Sequence, residues 1–288
     1  MRLARRPRHS IIGRPRDLTD IVRITFLINL DLHSNYALNL LLPSLARQHE
    51  LTVFYSRQVG KPSRIAQLSQ LAFFEQTLPN QLLFPALDAS GQSGALRTFT
   101  GLTPYLETPL KPLEDPSSDI GTRTLRSARP DLIISIRYGH ILRDSAISIP
   151  RLGVINLHSG RLPAYRGVMA TFRAMLNNDA ELGCTLHWID SAAIDAGPII
   201  CQNLIPRRSK TCYLENVIRL YDAGCASLVE TIEALVHDQV PESAGVLEPG
   251  PYFSFPNERD INQFEEAGHQ WVNTSRLTDL LARYLPSP

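Results

Sequence analysis

Short apolar runs alternate with amphipathic stretches along the first half of the chain, and that alternation limits the folds open to it. Residues 21–30 read as a strand, and residues 34–48 as an amphipathic helix capped at Ser34 or Asn35. Residues 51–55 read as a second strand and 63–76 as a second helix. Further on, Leu132-Ile133-Ile134-Ser135-Ile136 is apolar almost throughout, the mark of a strand covered on both faces. Parallel neighbours need a crossover connection, so this β-α-β order predicts an α/β fold with a Rossmann-like, doubly wound, mostly parallel sheet. With 288 residues, 43% of them hydrophobic, the chain can bury a full core. The expected division is a basic, disordered extension over residues 1–20, a main domain over 21–205 and a small helical and hairpin appendage over 206–288. Gly, Ser, Thr and Pro crowd the stretch from Asp88 to Asp119, where a long loop or short irregular elements are expected.

The net charge of +1 offers no electrostatic case for a nucleic-acid partner, but the charge is unevenly spread. Residues 1–16 hold six arginines and no acid, as a targeting peptide, a nucleic-acid arm or an unstructured terminus would; the last is preferred. Residues 206–288 hold seven basic and twelve acidic residues, the wrong sign for gripping a tRNA backbone. No run reads as a membrane span. The four cysteines, Cys184, Cys201, Cys212 and Cys225, show no Cys-x-x-Cys spacing, so neither zinc nor a disulfide framework is expected, and reduced thiols in a cytoplasmic protein are. Leu30 is followed by Asp31-Leu32-His33-Ser34-Asn35 rather than Gly-x-Gly-x-x-Gly, which argues against a nicotinamide dehydrogenase.

Polar residues suited to chemistry gather between Val154 and Ile200. Val154-Ile155 ends a strand, so Asn156 and His158 share one side of an extended backbone, at the sheet edge where open α/β proteins bind ligands. A loop containing Pro163 and Gly167 leads to a helix over residues 169–176, and Thr185-Leu186-His187-Trp188-Ile189 alternates as a further strand. The turn Asp195-Ala196-Gly197-Pro198 then brings a carboxylate back toward the first pair. Taken singly, each has a plainer explanation: the histidine as a bonded core residue, the aspartate as a turn former, the asparagine as a cap.

Together, Asn156-x-His158, Leu162-Pro163, Gly167 and Asp195-Ala196-Gly197 resemble, in order and spacing, the signature of the folate-dependent formyltransferases. The resemblance covers roughly residues 21–205. It implies transfer of a formyl group from 10-formyltetrahydrofolate to an amine through a tetrahedral intermediate, with no metal and no covalent intermediate. The Asn156 amide and a protonated His158 would meet the developing oxyanion, while Asp195 would orient the imidazole, raise its pKa and help remove the amine proton. Tyr138, Gly139, His140, Ile141 and Leu142 match the donor-binding loop of that family, with Ile189, Asp190 and Ile194 closing the other side of the ring. His187 matches a histidine common nearby, and a packed strand residue explains it equally well.

The acceptor is less constrained. Missing glycines after the first strand remove the phosphate cradle of the glycinamide ribonucleotide enzymes, and Asp31, His33 and Asn35 take that place. Gly160 and Arg161 stand where many relatives have Ser and Leu, and with Arg137 and Arg166 they suggest an anionic acceptor bound by guanidinium groups. The reading is an N-formyltransferase acting on a small-molecule amine or hydroxylamine, such as an amino-acid derivative or an amino sugar, and it is compatible with a homodimer. The alternatives are a formyltetrahydrofolate hydrolase, a methionyl-tRNA formyltransferase and a catalytically silent folate-binding protein.

Overall fold

A computed structural model describes residues 21–57, 59–60, 63–239 and 250–286. The extension expected over residues 1–20 lies outside the described residues. Strand β1 (Arg23–Asn29) leads through helix α1 (Leu32–Leu45) to β2 (Glu50–Ser56). A continuous helical arm follows, made of α2 (Ala66–Ala72), a π-helix (Phe73–Leu83) and α3 (Phe84–Ser90). Next come β3 (Lys111–Pro112), α4 (Asp119–Ser127), β4 (Leu132–Ile136), α5 (Asp144–Ile147) and β5 (Val154–His158). The second half holds β6 (Arg166–Gly167), α6 (Ala170–Leu176), β7 (Glu181–Trp188), β8 (Ile199–Pro206) and α7 (Tyr213–Val236). It closes with β9 (Tyr252–Phe253), α8 (Glu258–Glu266) and α9 (Thr274–Ala282).

The main sheet has seven strands in the order β3-β2-β1-β4-β5-β7-β8, with β3 to β5 parallel and β7 antiparallel to both neighbours. This is the α/β, doubly wound, mostly parallel sheet that the alternation predicts. β4 is buried at every residue, as its unbroken apolar run requires, because helices cover both faces. On one face α1, α6 and α7 pack over β1, β4, β5 and β7 in the main core; on the other, Leu125 of α4 and Ala146 of α5 pack on Leu27, Ile133 and Val154. The chain winds outward from β1 to β2 and β3, then returns to β4 on the other side of β1. That reversal opens a crevice at the carboxyl ends of β1 and β4.

Two local expectations change. The first helix starts at Leu32, and its cap is Asp31 rather than Ser34 or Asn35, since the Asp31 carboxylate accepts the Ser34 amide at 2.8 Å. The second helix does not stop near Gln76 but widens into the π-helix around Pro79, which has no N–H to offer a regular helical ladder. In the region expected as an appendage, α7 buries residues such as Tyr213, Leu220, Tyr221 and Ile232 against the sheet and α1, so it is built into the main core. No helix among the described residues is long and apolar enough to cross a membrane.

Asp131 ties the amino ends of the central strands together. Its carboxylate accepts the Arg23 amide and Nε at 3.0 Å each and the Arg151 Nε at 2.8 Å. Burial acts to raise its pKa, but the bonds from Arg23 and Arg151 outweigh it and hold the group down at about 2. The folded value lies below the ordinary one of about 3.9, so the stabilisation is complete above that pH and is lost as the pH falls to about 2. Both arginines are partly solvated, at 35% and 47% exposure, which keeps the effect moderate. Asp131→Asn should lower the unfolding free energy by about 1–2 kcal/mol at pH 7 in urea titrations. The gap to the parent should close between about pH 4 and pH 2.

Candidate active site

β5 carries Asn156 and His158 to the carboxyl edge of the sheet, and β7, running antiparallel beside it, sets His187 directly opposite Asn156. The loop between β7 and β8 folds Asp195 back onto this group. Asp195 Oδ2 lies 3.7 Å from His158 Nδ1, and Oδ1 lies 3.4 Å from His187 Nε2. Asn156 Nδ2 reaches Asp195 Oδ1 at 3.3 Å and His187 Nε2 at 3.1 Å. The three residues that the motif singles out therefore meet, and His187 joins them.

Backbone carbonyls decide where the imidazole protons sit. His187 Nδ1 is 3.0 Å from the Trp188 carbonyl, which can only accept, so Nδ1 carries the hydrogen and the neutral ring offers a lone pair at Nε2. That lone pair and Asp195 Oδ1 are both acceptors, and the two hydrogens of Asn156 Nδ2 bridge them. The arrangement turns the donating end of the amide, rather than its oxygen, toward the site. His158 Nε2 in turn donates to the Tyr165 carbonyl at 2.8 Å, leaving Nδ1 as the nitrogen that faces Asp195.

The Asp195 side chain is 8% exposed, and its backbone is in the left-handed region at φ +49°. Burial acts to raise its pKa, but the neighbouring His158 imidazole and the Gly167 amide outweigh burial and hold the carboxyl well below the usual carboxylate range. The Gly167 amide donates to Oδ2 at 2.8 Å. Gly167 has φ +97°, and a Cβ there would run into the Phe253 carbonyl, so β6 must carry glycine to pair with β9. The tail around Tyr252 and Phe253 thus packs directly against the segment whose amide meets Asp195. Arg166 straps the same loop, with Nε and Nη2 on the Ile194 carbonyl at 3.0 and 2.8 Å and Nη1 on the Gly250 carbonyl at 3.1 Å. A Cβ on Gly160 would collide with the His158 ring and Ala170, so this position requires glycine.

The residues expected around the donor are split. Tyr138, Leu142 and Ile189 pack into the smaller core, with the Tyr138 hydroxyl on the Leu113 carbonyl. Gly139 donates its amide to Ser56 Oγ at 2.9 Å. His140 pairs with Glu114 at 3.1 Å, Ile141 is 49% exposed, Asp190 is exposed, and Ile194 meets Arg166 through its carbonyl. Of the residues expected around the acceptor, Asp31 and His33 are fully buried at the β1 and β4 crevice. Asn35 is equally buried but accepts from the Tyr284 hydroxyl at 2.6 Å, away toward the carboxyl-terminal helix. Arg161 is exposed beside Gly183. Arg137 is engaged within the protein by Asp31 at 2.8 Å and Glu75 at 3.0 Å. Glu75 carries no motif in the sequence; only the π-helix brings it inward.

Comparison with known proteins covers the same part of the chain. Residues 106–223 match the family model described as formyl transferase. Methionyl-tRNA formyltransferase of Roseiflexus sp. (strain RS-1) is 38% identical over 122 residues, which cover 42% of this chain and 36% of the relative. The match thus spans about a third of that protein's length. Phosphoribosylglycinamide formyltransferase from Anaplasma phagocytophilum superposes with a TM-score of 0.54 at 17% identity, over 82% of this chain and all of the other. An N-formyltransferase from Helicobacter canadensis, in complex with folinic acid and dTDP-3-aminofucose, gives 0.50 at 18% identity over 84% and 73% of the two chains. These two likenesses show a shared fold. The motif residues and the point where they converge thus lie within residues 106–223, the part of the chain that is similar to the formyl transferase family.

Proposed function

We propose that the protein transfers a formyl group from 10-formyltetrahydrofolate to the amine or hydroxylamine of a small molecule. The observation that carries this reading is the convergence of Asn156, His158 and Asp195 around one point, with the Asn156 donor end fixed by His187. The acceptor nitrogen attacks the formyl carbon, and the carbonyl electrons move onto oxygen. Asn156 Nδ2 keeps its bond to His187 and turns the hydrogen of its longer, 3.3 Å contact with Asp195 onto that charge, which a proton on His158 Nδ1 also meets; with Nε2 held on Tyr165, the ring is then cationic and is balanced by Asp195. Asp195 takes the proton released by the attacking nitrogen, directly or through water. Collapse of the intermediate breaks the bond to N10 of the folate, which leaves protonated as tetrahydrofolate. The donor ring lies between the loop of residues 138–142 and residues 189–194, where Tyr138, Leu142 and Ile189 form apolar ground. The relative crystallised with folinic acid, named above, supports this choice of donor.

A methionyl-tRNA acceptor is the second reading, favoured by the names of the sequence relatives. The excess of acidic over basic residues in 206–288 weighs against it.

Asp195→Asn keeps the size and removes the charge. It should lower the rate of tetrahydrofolate release by about 10²–10⁴-fold while 5-formyltetrahydrofolate still binds. An unchanged rate would remove Asp195 from the mechanism, and fast release without any amine would mark a hydrolase. Gly167→Ala should cost about 10² in kcat, since the clash with Phe253 shifts the loop that seats Asp195; stopped-flow release of tetrahydrofolate measures it.

A further inference from the structure

The β1 and β4 crevice holds a group of charges that the formyl transfer chemistry does not use. Asp31 ends β1, Arg137 leaves β4 at φ +57°, and Glu75 reaches in from the π-helix. The π-helix makes this possible: its wider turn brings residues five apart nearly into line, so Glu75 and Asn80 both face the end of β1, where Asn80 Nδ2 donates to the Leu30 carbonyl at 2.9 Å. Two carboxylates here share one guanidinium. Asp31 is well satisfied, accepting also from Asn29 at 2.8 Å and from the Ser34 amide, and the Arg137 charge offsets its burial. Glu75 is not: burial pushes its carboxyl up to about 7 despite Arg137.

His33 sharpens the imbalance. Its Nε2 lies 3.3 Å from the Leu214 carbonyl and so carries the hydrogen, which leaves Nδ1 as a lone pair. Burial, with Arg137 nearby, pushes the His33 pKa down to about 3, so the ring is neutral. Nδ1 faces Glu75 Oε1 at 3.6 Å, and neither atom has a hydrogen-bond partner among the described residues although both are shut off from solvent. Two buried acceptors that face one another call for a donor between them, and a charged donor would also neutralise Glu75. The register places this pair beside the catalytic group: Ile136 pairs with Leu157, so Arg137 stands next to His158, and β1 lies two strands from β5, roughly 10 Å away. Arg137, 16% exposed, is the most open of the three charged residues.

We propose that this crevice is an acceptor subsite for a second ammonium group, held between Glu75 Oε1 and His33 Nδ1, so that the acceptor is a diamine or a basic amino acid. The proposal rests on the formyl transfer reading for its orientation, since the amine to be formylated lies at Asp195 and the second one a few methylenes away.

Calorimetric titration of the full chain with putrescine, cadaverine, spermidine and n-butylamine tests it. The diamines should bind at least ~10-fold tighter than n-butylamine, the equivalent of ~1.4 kcal/mol. Glu75→Gln should abolish that preference without lowering Tm, because the new amide can donate to His33 Nδ1 and still accept from Arg137; a carboxylate needed only for folding would lower Tm instead. Should the glutamine variant melt early, Glu75→Asp keeps the charge and withdraws it by one methylene, and the diamine preference should again be lost. Equal binding of mono- and diamines by the parent, or a preference that survives in both variants, overturns the subsite. Tetrahydrofolate release is followed in parallel: tight diamine binding without release from the donor would refute formyl transfer and leave the cation site standing.

Discussion

Asp195 is a charged carboxylate with a nearly buried side chain, and groups from three separate strands reach it: Asn156 and His158 from β5, His187 from β7, and the Gly167 amide from β6. Burying such a charge is costly unless it is paired and hydrogen-bonded, so each of these contacts is needed to keep the loop closed over the sheet edge. The consequences spread outward. Gly167 can approach Asp195 because it pairs with β9, which draws the carboxyl-terminal tail onto the site, and Arg166 holds the flanking Ile194 and Gly250 carbonyls. The carboxylate at the centre of the candidate site is therefore also what joins distant parts of the chain.

The sheet topology divides the functional edge into two halves with different physics. On the β5 and β7 side, polar groups balance: one carboxylate, two imidazoles and one amide, with their donors and acceptors matched. On the β1 and β4 side they do not: a neutral imidazole faces, at 3.6 Å, a carboxyl group that burial pushes up to about 7. In the proposed reaction the first half stabilises charge that appears on the substrate; in the proposed subsite the second receives a cation. A continuous chain of bonds links the second half to the loop of residues 138–142, from Asp31 to Asn29, Asn29 to Ser56, and Ser56 to the Gly139 amide.

Much of this was legible in the sequence because periodicity is a local property. The unbroken apolar run of β4 fixed it as a central parallel strand, and two-residue spacing on β5 placed Asn156 and His158 on one side. The role of His187 was ambiguous because a histidine on a buried strand looks the same whether it packs or bonds; only the Trp188 carbonyl and the Asn156 amide separate the cases. Glu75 was invisible, since a lone glutamate in a helical stretch is ordinarily solvated and the change to a π-helix has no simple periodic sign. Arg137 and Arg166 read as free cations from sequence, yet both are occupied by groups distant along the chain.

The central claim is that Asn156, His158 and Asp195 surround the formyl carbon of a bound folate. A crystal structure of the protein with 5-formyltetrahydrofolate tests this most directly. The account predicts the pterin ring between the loop of residues 138–142 and residues 189–194, with the formyl oxygen about 3 Å from Asn156 Nδ2. A folate seated elsewhere, or seated there with its formyl group turned away from all three residues, would contradict it.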